Sequence, residues 1–144
     1  MIDITVTSDN LIKATTSVDL SMNNFENISD VLEYVKLSKI FEEEVKLINA
    51  SKKAIIDNLH ANPDNKIIKD GVEHWTKDAY RTLQEELVKL MSETKTFSLP
   101  TIENTKLDTY PPTMGNFIKV FYEIFVEPEP KENVPAKGKK NGKN

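Results

Sequence analysis

With 144 residues, 38% hydrophobic and 29% charged, the chain has the composition of a soluble globular domain large enough to bury a core. It has no cysteine, which excludes disulfides, thiolate metal sites and a cysteine nucleophile, and its four glycines leave little material for phosphate-cradling loops. The net charge of −4 hides an asymmetry: residues 131–144 carry five lysines against one glutamate, +4, leaving 14 basic and 22 acidic groups, −8, in residues 1–130.

The chain opens on Met1-Ile2-Asp3-Ile4, without the basic and apolar regions of a secretory signal, and no run approaches a membrane span. Ile2, Ile4 and Val6 alternate with Asp3, Thr5 and Thr7. Beyond Ser8-Asp9-Asn10 the alternation resumes at Ile12, Ala14, Thr16, Val18, Leu20 and Met22. Period-two patterning with threonine and β-branched residues predicts strands over 2–7 and 12–22, joined as a β-hairpin by a turn at Asp9-Asn10.

Residues 28–60 carry the strongest signal. Tyr34, Leu37, Phe41, Val45, Ile48, Ile55 and Leu59 recur in steps of three and four, with Lys52 filling the one gap. That spacing predicts one long amphipathic helix, capped by Asn27 or Ser29, with Glu42 and Lys46 paired on its outer side. Pro63 ends it. A second helix is expected over 71–93. Asp70 and Glu73 have the form of a capping box, and Val72, Trp75, Ala79, Leu83, Leu87 and Leu90 form its stripe. The short connection favours an antiparallel αα-hairpin with facing stripes.

From Thr94 to Pro112 the periodicity lapses, which predicts an irregular connection lying over the core with a short extended piece near Thr96–Leu99. Residues 114–126 are dense in Phe, Ile, Val and Tyr. Asn116, Lys119, Glu123 and Glu127 recur at helical steps, so a hydrophobic helix is expected, with a strand as the alternative. Its large apolar groups cover most of a helix's circumference. Phe117, Phe121, Tyr122 and Phe125 are therefore expected to form a protein interface. Beyond Glu127-Pro128-Glu129-Pro130 nothing has apolar periodicity. The reading is one globular domain over 1–127 and a flexible basic tail over 128–144. Lys137, Lys139, Lys140 and Lys143 are the residues that could contact nucleic acid phosphates.

The fold class expected is thus α+β and mainly helical. Asp70, His74 and Asp78 fall at i, i+4 and i+8 and would share one side of a helix. Three such groups over two turns converge poorly on one ion, so no metal is expected. There is no Walker loop, no dinucleotide fingerprint and no Gly-x-Ser-x-Gly elbow, and the acidic residues lie on polar faces. The expected function is non-enzymatic. The chain reads as a structural or assembly protein working through protein–protein contact, self-association included, without cofactor, small-molecule substrate or membrane. Its richness in Lys, Asn and Ile suits a phage or viral particle component, in the cytoplasm or the virion. The competing expectation is an inhibitor or adaptor of a host protein whose acidic face mimics nucleic acid.

Overall fold

The computed structural model describes residues 1–130. Its regular elements are β1 (Ile2–Thr7), α1 (Ser8–Ser21), α2 (Ile28–Ala61), β2 (Lys66–Lys69), β3 (Val72–Trp75), α3 (Lys77–Met91), β4 (Thr94–Leu99), β5 (Ile102–Glu103), α4 (Gly115–Val120) and β6 (Phe125–Val126). The strands form three two-stranded sheets: β1 with β4 and β2 with β3, both antiparallel, and β5 with β6, parallel. The architecture is α+β and mainly helical, with α2 as its spine. Among the described residues no helix is long and apolar enough to cross a membrane.

The first strand forms as its alternation predicts, with Ile4 and Val6 buried and Asp3 and Thr5 outside. Its partner is not the segment that follows. Residues 8–21, read above as strand over 12–22, are helix α1. The buried residues are Ser8, Leu11, Ala14, Ser17, Val18 and Ser21, a helical spacing that hides serines on the inner face. Counting Ser17 and Ser21 as outward polar residues created the apparent period of two. Asp9-Asn10, read as a turn, is the first turn of the helix, and the Thr7 hydroxyl accepts the Asn10 N–H at 3.1 Å as its cap. The small inner residues let the 112–120 region approach closely. Ser17 donates to the Thr113 carbonyl, and the Ser21 and Thr113 hydroxyls are hydrogen-bonded to each other.

β1 pairs instead with β4, in a register that sets Ile4 opposite Phe97 and Thr5 opposite Thr96. The extended piece expected near Thr96–Leu99 is this strand, and it carries the chain back across the whole molecule.

The long helix is found over Ile28–Ala61. Tyr34, Leu37, Phe41 and Ile48 of its stripe are buried; Val45, Ile55 and Leu59 are half-buried. Lys46 and Glu42 pair at 2.9 Å as expected. The second helix starts later than expected. Residues 66–75 form a β-hairpin whose turn is Asp70-Gly71, both at positive φ (53° and 76°). Asp-Gly with β-branched flanks is the sequence of a type I′ turn, and that preference overrides the capping-box form. Helix α3 begins at Lys77, and the Thr76 hydroxyl accepts the Ala79 N–H at 3.1 Å. α2 and α3 run antiparallel. Glu44 meets Lys95 at 3.6 Å at one end, and at the other the Asn65 amide donates to the Leu59 carbonyl at 2.8 Å.

One core gathers β1, α1, the first half of α2, β4 and residues 102–125. Aromatic rings run through it: Tyr34 meets Phe117 edge-on at 5.1 Å, Phe117 meets Phe121 at 5.0 Å, and Phe121 stacks on Phe41 at 5.1 Å. Such pairs add about 0.5–1.5 kcal/mol each beyond their burial.

Candidate interaction surface

The expected aromatic interface is not available as one. Phe117 and Phe121 have 0% of their surface exposed and Phe125 has 8%, all within a single chain. The correction has a geometric cause. A continuous helix would spread these rings around its circumference. The chain instead ends α4 at Val120, breaks at Phe121 (φ −108°, ψ 31°), makes a 3₁₀ turn over Tyr122–Ile124, and closes as β6 beside β5. The break swings Phe117, Phe121, Ile124 and Phe125 onto one side and leaves Tyr122 alone outside, 67% exposed. Helix and strand, weighed as alternatives, both occur in pieces. Lys137, Lys139, Lys140 and Lys143 lie outside the described residues.

Asp70, His74 and Asp78 do not share a helix: they sit in a turn, on β3 and in the first turn of α3. Among the described residues no three His, Asp or Glu side chains are grouped to hold a metal ion. Trp75, expected in a helical stripe, is half-exposed on β3, 6.2 Å from the His60 ring.

Asp30, in the first turn of α2, is 1% exposed. Lys106 reaches it at 3.5 Å and Glu33 at 3.4 Å. Burial opposes the charge on Lys106, but Glu33 and Asp30 outweigh it and hold the ammonium above its ordinary pKa. The group ties the 104–109 turn to the start of α2. Nearby, the Tyr34 and Tyr110 hydroxyls are buried without a protein hydrogen-bond partner. Burial pushes Tyr34 well above the usual tyrosine range and Tyr110 up to about 12, with Asp30 and Glu33 adding to both. The arrangement is that of a structural staple.

The grooves are open and mostly lined by helix surfaces. One of about 400 Å³ lies between α1 and α2, lined by Thr15, Asp19, Met22, Val35, Glu42 and Val45 among others. Its Glu42 is held below the ordinary carboxylate value by the hydrogen bond from Lys46, the opposite of a poised general acid.

What remains unusual is the far half of the helical pair. Of residues 49–98, only Ala79 is buried. Residues 49–61 of α2, the β2–β3 hairpin and α3 up to its core-packed end at Met91 project from the core as an arm, with the last 13 residues of α2 alone spanning about 20 Å. The two facing stripes cover one another only in part. Ile67, Ile68 and Val72 at the tip are 49%, 77% and 56% exposed, and Tyr80 and Val88 on α3 are 56% and 66% exposed. Sequence reasoning missed this surface because it assigned Val72 and the α3 stripe to the interior. The Asp70-Gly71 pair was the signal that the helix could not start there. Comparison with family models, with curated proteins and with solved structures finds no match to this chain.

Proposed function

We propose that the protein is a non-enzymatic structural or assembly component that acts through protein–protein contact, with the arm as its contact element. The observation that carries this reading is the set of large apolar side chains on the arm, Ile67, Ile68, Val72, Tyr80 and Val88, which the chain's own fold leaves in water. Scattered exposed residues are ordinary, but a projecting element with one buried residue and several exposed apolar groups suits a partner surface. With Phe117 and Phe121 absorbed by the core, the contact role moves from the C-terminal aromatic segment to the arm. The Lys-, Asn- and Ile-rich composition supports placing the protein in a phage or viral particle, and so in the virion or the cytoplasm of its host.

The test is a photo-crosslinking side chain at position 88, introduced into the full chain in cells that produce it. A discrete protein adduct, with this chain or another, is the expected result. If only unlinked monomer is recovered from position 88 and from a second probe at position 72, the arm is not a contact element.

A further inference from the structure

The β2–β3 hairpin has two open edges, and the two are not equivalent. Thr76 N–H donates to the Asn65 carbonyl at 2.8 Å, which marks residues 65 and 76 as a hydrogen-bonded pair of the ladder. Hydrogen-bonded pairs alternate along an antiparallel ladder. In the observed register, Ile67/His74 and Lys69/Val72 are therefore bonded to each other, while Ile68/Glu73 and Lys66/Trp75 turn their N–H and C=O groups away from the hairpin. Ile68 presents the outward groups of β2, and Glu73 those of β3. Ile68 also carries a side chain 77% exposed.

We infer that the outer edge of β2 pairs antiparallel with the same edge of a second copy of this chain, about a two-fold axis at Ile68. The inference rests on the reading of the arm as a contact element and names its partner. A two-fold axis normal to the sheet keeps each face on its own side; centred on Ile68, whose N–H and C=O groups turn outward, it sets Ile68 opposite Ile68, Ile67 opposite Lys69 and Lys66 opposite Asp70. That register makes two hydrogen bonds between the Ile68 backbones, joins two apolar side chains at the centre, and at both ends brings Lys66, whose ammonium lies 3.9 Å from Glu73 of its own hairpin, opposite Asp70. Cross-strand pairs of this kind are favourable. The same operation on the β3 edge centres on Glu73 and opposes two like charges, which is unfavourable. Charge complementarity thus selects β2. Pairing also turns a marginal two-stranded hairpin into a four-stranded sheet. Two four-residue strands bury far less than the roughly 1,200 Å² of a stable interface, so the dimer is weak and needs high protein concentration.

The absence of cysteine in the natural chain makes the test direct. A hydrogen-bonded antiparallel pair puts Cα atoms about 5.5 Å apart, within the roughly 4.4–6.8 Å span of disulfides. Under mild oxidation, full-length Ile68→Cys is expected to form covalent dimer at least ~10-fold faster than Glu73→Cys, by the distances above. Sedimentation supplies the second measurement. Ile68→Pro removes only an outward N–H, a position where an edge strand tolerates proline. It is expected to weaken self-association ~10-fold or more, since it deletes both central hydrogen bonds, while Glu73→Pro leaves it unchanged. Equal crosslinking at the two positions, or association undiminished in Ile68→Pro, overturns this pairing. A wild-type protein monomeric at millimolar concentration also overturns it. In each of these cases an adduct from position 88 would leave the contact reading standing.

Discussion

One helix runs through two different environments. From Ile28 to Ile48 α2 buries Asp30, Tyr34, Leu37, Phe41 and Ile48 against elements from both ends of the chain. From Asn49 onward the same periodic stripe continues through Ile55 and Leu59, yet nothing there is fully buried. The head has several layers around its stripe; the arm has one partner helix. Periodicity therefore reports which side of a helix is apolar, and the number of neighbouring elements decides how much that side stabilises.

The largest expected effect tests the head. Phe117→Ala removes a fully buried ring that touches Tyr34 and Phe121. It should cost about 3–5 kcal/mol of unfolding free energy by denaturant titration, enough to unfold much of a marginally stable domain. Leu59→Ala on the arm removes a half-buried side chain and should cost less than half as much. Equal losses would show that the arm is as tightly integrated as the core. Hydrogen exchange sharpens the same contrast. Amides of α3 and the outer half of α2 should open at lower free energy than those of α1 and β4.

Alkaline pH should also act on the head. Tyr34 and Tyr110 have raised pKa values in the fold, and Lys106 is raised as well. A group whose folded pKa exceeds its unfolded value contributes stability that is complete below the unfolded value and lost as pH rises through the folded one. Stability should therefore be level from pH 7 to about 9 and fall above about 10, the ordinary value for tyrosine, as thermal unfolding would show. Tyr34→Phe, which deletes a hydroxyl without a protein partner, should change stability at pH 7 by less than about 1 kcal/mol and should flatten the alkaline fall. A fall of the same steepness in that variant would assign the effect to other groups.

The turn at the tip comes next in size. Gly71 sits at φ 76°, and no atom lies near where a Cβ would be placed. Gly71→Ala thus adds backbone strain without a clash. It should cost about 1 kcal/mol, in the range for side chains forced into left-handed backbone. The loss should be confined to exchange of the hairpin amides, with those of the head unchanged.

The long helix and the first strand were legible in the sequence because their apolar spacing is regular and their polar residues, Asp30 apart, point outward. α1 was not, because Ser8, Ser17 and Ser21 are buried and hydrogen-bonded, so polarity and exposure part company there. The hairpin at 66–75 was legible in Asp70-Gly71 but was outweighed by a helical count through Val72 and Trp75. The C-terminal segment was read correctly as too apolar for a free helix. The remedy was a break in the helix rather than a partner, and the long-range packing that rewards such a break has no local signature. The exposed apolar groups of the arm were not legible for the same reason: which apolar residues stay in water depends on how many elements return to cover them.

The smallest stability effect carries the most information about that surface. Val88 is 66% exposed and Tyr80 is 56% exposed on an amphipathic helix whose buried side rests on α2. Replacing both with serine removes apolar area most of which the folded chain leaves in water. The transfer term is therefore nearly the same folded and unfolded, and only the modest difference in helix propensity remains. The double variant should keep its melting transition, with a change of about 0.5 kcal/mol or less in stability, as expected for surface positions. It should lose a measurable part of any contact made through the arm. A large loss of stability would mean that these side chains already pack within the chain, and the distinction between a crowded head and an exposed arm would fail on α3.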